Sequence, residues 1–197
     1  RYGGRLSSVL DIRMKEGNSK NFSASGGLGT MMSRLALEAP LGDQGSFMIA
    51  GRRSYLDVIA KGYQKLKGQA TNDSQFYFYD LNTKANYKFG DKDRIFVSGY
   101  FGRDVLNYVS GLRGFSFQMP YGNATATLRW NHLFSDQLFM NVSAIYNNYD
   151  FSFSGEQSDF SVGLISGVRD YNAKIDFDFF PKPEHAIKFG LNYTYHK

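Results

Sequence analysis

The chain has 197 residues, a net charge of +5 and no cysteine, which excludes a disulfide scaffold and any Cys-based metal or redox centre. No run of about 18 apolar residues occurs, so no transmembrane helix is expected, and the mean hydropathy is only −0.40. A transmembrane β-barrel escapes that exclusion, because only every second residue of its strands meets lipid. The 14 Tyr, 18 Phe and 21 Gly against 4 Pro suit a chain made mostly of strands. The basic residues are scattered among acidic ones rather than gathered in a stripe, so no nucleic-acid partner is expected.

The chain opens on Arg1-Tyr2-Gly3-Gly4, a Gly-Gly turn, followed by a short apolar strand that ends near Arg13 and Lys15. Strict alternation of apolar and polar residues then recurs, and each such run predicts a strand with two unlike faces. Over 33–40, Leu35, Leu37 and Ala39 share one face and Arg34 and Glu38 the other. Over 75–89, Tyr77, Tyr79, Leu81, Ala85 and Tyr87 oppose Asp80, Asn82, Lys84, Asn86 and Lys88. The same pattern covers 94–104, 121–134, 138–146, 171–179 and 186–195. Several runs exceed the roughly 9–11 residues that a tilted strand needs to cross a bilayer. Aromatic residues gather near strand ends (Tyr77 and Tyr79, Trp130 and Phe134, Phe177 and Phe179, Tyr193 and Tyr195), as interfacial girdles require.

The links alternate in length. Short ones fall at 41–45, 90–93, 135–137 and 181–185; longer polar ones are expected at 56–74, 107–120 and 150–167. The first hairpin, around Gly27–Thr30, breaks the alternation with a short link. Short turns at one end and long loops at the other are the bacterial barrel pattern. The fold expected is all-β: an antiparallel up-and-down transmembrane β-barrel, represented here in part by about nine strands. An odd count, and a last strand ending at His196-Lys197, predict a chain cut inside a longer barrel.

The Gly-Gly turn and basic-ended strand of 1–15 resemble the end of the plug domain in TonB-dependent receptors. The stretches Arg34-Leu35-Ala36-Leu37-Glu38-Ala39-Pro40 and Gly51-Arg52-Arg53-Ser54-Tyr55-Leu56-Asp57 are similar to the first barrel hairpins of one receptor subgroup. The resemblance implies residues 1–18 as the C-terminal end of a plug and 19–197 as the N-terminal part of an outer-membrane barrel of about 22 strands. It also implies import of a scarce nutrient (an iron chelate, cobalamin, an oligosaccharide or a peptide) across the cell outer membrane. The implied partners are outer-membrane lipid, the protein's own plug and the energy-coupling TonB protein, the last reached through an N-terminal segment that lies outside this chain.

Candidate residues follow from parity. Arg34, Glu38, Arg52, Lys84 and Arg129 are expected on the lumen face, contacting ligand or plug; an ion pair of Arg52 with Glu38 is the structural alternative. Arg53 has the opposite parity and is expected to snorkel at the interface or turn into the loop. The basic stretch Lys61–Lys67 is expected as a solvated loop, with contact to ligand or lipopolysaccharide phosphates as the alternative. His132, His185 and His196 have no ligand spacing, so no metal or cofactor is expected, and no Ser-His arrangement suggests an enzyme. Two rival readings remain: a stand-alone small barrel acting as an adhesin or anchor, and a soluble lipocalin-like binder.

Overall fold

A computed structural model describes residues 14–68, 74–110 and 114–197. The Gly-Gly motif and most of the segment assigned to the plug, residues 1–13, lie outside the described residues.

Ten strands and one helix follow in chain order: β1 Ser23–Leu28, β2 Met32–Leu41, β3 Gly45–Ser54, α1 Leu56–Leu66, β4 Gln75–Phe89, β5 Asp93–Ser110, β6 Phe115–Gln118, β7 Tyr121–Ser135, β8 Leu138–Gln157, β9 Phe160–Lys182 and β10 His185–His196. Every pairing is antiparallel, and the strands meander in sequence order across a single sheet from β1 to β10. β6 and β7 share one lane, because both pair β5 and β8 in an unbroken register. Pro120 interrupts that lane, having no N–H to give the ladder, although its carbonyl still accepts from Ser152 N at 3.0 Å. The sheet therefore has nine lanes, as the alternation predicts, and forms an all-β antiparallel barrel wall.

The turns segregate. Those at Gly42, Gly90, after Ser135 and after Lys182 are tight and lie at one end, and Gly42 and Gly90 adopt the positive φ such turns need. At the other end the expected loops differ from what forms. The stretch 150–167 is a continued β8–β9 hairpin with its tip at Ser158 and Asp159, and 107–120 is mostly a continued β5–β6 hairpin. The 56–74 link contains helix α1 rather than an irregular loop. β8 and β9 have 20 and 23 residues, about twice the length that a tilted strand needs to cross a bilayer, and this hairpin projects well beyond its neighbours.

The wall is one layer thick. Leu81, Val97, Leu128 and Leu191 on one face are between 42% and 79% exposed, and Met140 is the one buried hydrophobic side chain among the described residues. Buried side chains are otherwise polar (Ser46, Asp80, Asn86 and Ser143 among them) and lie on the other face. A water-soluble sheet hides its apolar face under a second layer. Here that face is open along its whole length.

Candidate functional site

Segment 14–20 precedes β1 and runs across the polar face of the wall, called inner below. Lys15 Nζ pairs with Glu38 of β2 at 2.9 Å. Glu16 pairs with Lys84 Nζ of β4 at 2.5 Å, and Lys84 also donates to the Met14 carbonyl at 3.0 Å. A Cβ on Gly17 would collide with the Phe47 carbonyl oxygen of β3, so only glycine lets the strap lie this close to the sheet. Asn18 Oδ1 then accepts from Lys20 N and Asn21 N at 2.9 and 3.2 Å, turning the chain into β1.

The strap is anchored on a hub that parity alone does not single out. Asn86 is 4% exposed. Its Nδ2 donates to Glu16 Oε2 at 2.7 Å and to Ser46 Oγ at 2.9 Å, and its Oδ1 accepts from Arg94 Nη2 at 2.7 Å. Both amide hydrogens and the carbonyl oxygen have partners, which is what keeps the burial of this group from being costly. Arg94 and Lys84 both lie over the Phe96 ring, at 4.8 and 6.0 Å.

The five residues assigned to the inner face all lie there, but they form two groups and an outlier. Glu38 and Lys84 hold the strap. Arg34 and Arg52 sit opposite each other across β2 and β3, beside a groove floored by Gly26, Ala36 and Ala50. Arg52 pairs with Asp80 of β4, not with Glu38 as the structural alternative supposes. The reason is register: Arg52 lies directly across from Asp80, whereas Glu38 is paired across from Met48. Arg52 also lies 5.4 Å from the Phe78 ring. Arg129 stands apart in β7, donating to Ser143 Oγ at 3.3 Å. Arg53 has outer-face parity and lies over Tyr77 at 5.5 Å.

The outer face carries two aromatic rows. Near the turn end are Tyr87 with Phe89, Trp130 with His132, and Phe177 with Phe189, at ring separations of 4.8, 5.6 and 5.0 Å. Asp93 accepts from Trp130 Nε1 at 2.8 Å and from the His132 ring at 2.7 Å in the same row. Further up the strands, eight residues from Tyr87 in β4 and six from Phe177 in β9, are Tyr79 with Phe101 and Tyr146 with Tyr171, at 6.0 and 5.3 Å. Six to eight residues span about 20–26 Å along a strand, comparable to the height of a barrel's lipid band. Charged side chains begin at the level of Tyr79, with Arg103 directly across from it and paired with Asp150 at 3.7 Å.

Beyond that row the two faces exchange character. On the outer face the register lines up Asn107 with Gln118 and Ser154, and Ser116 with Glu156 and Ser161. The inner face there becomes aromatic: Phe78, Tyr121 and Phe151 lie in lanes around Asp104, and Tyr108 stacks with Phe117 at 5.6 Å. The wall thus holds a charged inner zone crossed by the strap and an aromatic inner zone in the projecting hairpins.

No family model matches the sequence, and no curated protein matches it. Among solved structures the chain is similar to a CymD monoaromatic hydrocarbon channel, 13% identical, over 89% of this chain and 73% of that one, with a TM-score of 0.29. A superposition this loose carries neither fold nor function across.

Proposed function

We propose that the chain is the leading part of the barrel wall of a TonB-dependent receptor in the cell outer membrane, which imports a scarce nutrient such as an iron chelate, cobalamin, an oligosaccharide or a peptide. The observation that carries this reading is the strap. The chain ahead of the first strand turns onto the inner face and is held there by Glu16, Lys84 and Asn86. A segment connecting an interior plug to its barrel has to enter the lumen in this way. The open apolar outer face with its two aromatic rows supports insertion in a membrane. The aromatic inner zone supports a ligand-facing vestibule above it, since pockets bind through apolar walls with a few placed polar groups. Asp104, Arg52 and Asp80 are those polar groups here.

The test uses cells carrying the full-length protein. Uptake of its nutrient is expected to stop when the coupling protein is deleted or the proton gradient is collapsed. Uptake that continues under both conditions describes a passive pore and overturns the proposal.

A further inference from the structure

Helix α1 is amphipathic in an unusual orientation. Its apolar residues Leu56, Ile59, Tyr63 and Leu66 recur at helical spacing on one side. They are also exposed, Tyr63 to 57% and Leu66 to 89%. The less exposed residues of the helix are Asp57, Lys61 and Gln64, on the opposite side. The helix therefore rests on the wall through its polar side and leaves its apolar stripe without a protein partner among the described residues.

Little in the helix stabilises it on its own. It has 11 residues, Tyr55 at its N-cap makes no side-chain cap bond, and Gly62 sits in its interior. Isolated helices of about this length are marginal in water. A short helix of this kind persists where a second medium takes its apolar side.

Its position supplies that medium. The helix starts one residue after β3, at the level where Arg53 covers Tyr77 and where Tyr79 and Phe101 form the upper aromatic row. Its first turn is thus at the height of the upper edge of the apolar outer face. Lys65 and Lys67 lie at its C-terminal end, with Lys67 Nζ 5.1 Å from the Tyr63 ring. Cations flanking an apolar stripe with an aromatic at its margin suit anionic headgroups above acyl chains.

We propose that α1 is an interfacial helix: its Leu56–Ile59–Tyr63–Leu66 stripe lies in the membrane leaflet at the projecting end of the wall, and Lys65 and Lys67 meet anionic lipid headgroups. This rests on the membrane reading above. Tethering the rim of the wall to the leaflet holds α1 flat and keeps it out of the vestibule.

The experiment uses the full-length protein in phosphatidylcholine vesicles, with and without phosphatidylglycerol, in a background in which Trp130 and every other tryptophan is replaced by phenylalanine. Single tryptophans are introduced by Ile59→Trp and, as an independent second variant, Tyr63→Trp. Leu128→Trp reports the lipid band. Quenching is measured with lipids brominated near the headgroup or deep in the chain, and with aqueous iodide. The expected result is headgroup-level quenching at positions 59 and 63 with protection from iodide, and deep quenching at position 128. Adding Lys65→Glu and Lys67→Glu is expected to cut the lipid quenching of the Ile59→Trp indole severalfold in vesicles containing phosphatidylglycerol, and to change it little in phosphatidylcholine alone. Deep quenching at 128 with iodide access at 59 and 63 overturns the interfacial helix and leaves the membrane barrel standing. Lipid quenching at none of the three positions overturns the membrane reading, and the helix inference with it.

Discussion

The turn-end half of the wall and its projecting half are built from the same strands with opposite polarity. Near the turns, Leu81, Val97 and Leu128 face outward while Lys84, Asn86 and Arg94 face inward. In the projecting hairpins Ser152, Ser154 and Glu156 face outward while Tyr121, Phe151 and Phe117 face inward. No bulge separates the halves along β8 and β9, whose register is continuous from Leu138 to Gln157. The reversal is therefore written in side-chain order alone. One pleated ribbon can pass from a medium that wets its outside with lipid to one that wets it with water, provided the alternation changes phase at the boundary.

The largest expected effects test this reversal directly. Val142→Lys or Leu128→Lys on the outer face should cost about 2–4 kcal/mol, since a lysine there sits within the lipid band. Thr127→Lys, next in sequence but facing inward, should cost far less. In the projecting half the order should invert: Ser152→Lys on the outer face is expected within about 0.5 kcal/mol of the parent, and Phe151→Lys on the inner face to be the damaging one. Unfolding in lipid vesicles, followed by heat-modifiable gel mobility, reads all of them. Equal tolerance at Leu128 and Thr127 would remove the basis for a lipid-facing side.

A smaller effect concerns the strap, which the turn-end half alone possesses. Gly17→Ala places a Cβ against the Phe47 carbonyl and should lift the strap from the wall, at a cost of about 1–3 kcal/mol. Gly62→Ala, in the exposed interior of α1 with open space around it, should instead stabilise by up to about 1 kcal/mol. Limited proteolysis at Lys15 and Lys20 distinguishes them: faster cleavage is expected for Gly17→Ala and unchanged cleavage for Gly62→Ala.

Asp80 tests the boundary between the halves. It stands where two arginines face each other across β2 and β3, and it is the carboxylate that makes that arrangement tolerable. Asp80→Asn should cost about 1–2 kcal/mol in denaturation, and adding Arg52→Gln should recover part of it. No recovery would mean that Arg34 and Arg52 do not repel and that solvent screens them both.

The faces near the turns are legible in the sequence because period-two alternation survives without any knowledge of partners. β4 runs over Gln75–Phe89, the residues its pattern predicts. The projecting hairpins read as loops because their aromatics fall on the parity that is polar below, so the phase change looks like loss of pattern. Helix α1 is hidden by its lysines and Gly62, which outweigh the spacing of Leu56, Ile59, Tyr63 and Leu66. The inner-face residues are legible as a set, but their pairing is not. Asp80 meets Arg52 from 28 positions away, a distance closed by the register of β3 and β4, and Asn86 meets Glu16 from 70, a distance closed by the strap crossing the inner face. The Gly-Gly turn and most of the basic-ended strand read from residues 1–15 lie outside the described residues.

The smallest expected effect is the ionic part of the strap. Glu16 and Lys84 are in contact at 2.5 Å, yet the Glu16 side chain is 44% exposed and that of Lys84 16%. Water screens a pair of that kind, and its coupling in a double-mutant cycle of Glu16→Gln and Lys84→Gln should be about 0.5–1 kcal/mol. The amide introduced by Glu16→Gln still offers an acceptor to Asn86 Nδ2, so that single change should leave the strap seated and remove only the charge. The coupling should shrink as salt shortens the screening length below about 10 Å, which is its value near 0.1 M. A salt-independent coupling several times larger would place the pair in a desolvated site, as under a plug that fills the lumen above it. The cycle measured on the chain alone and again in the full-length protein would then read how far the rest of the protein covers Lys84.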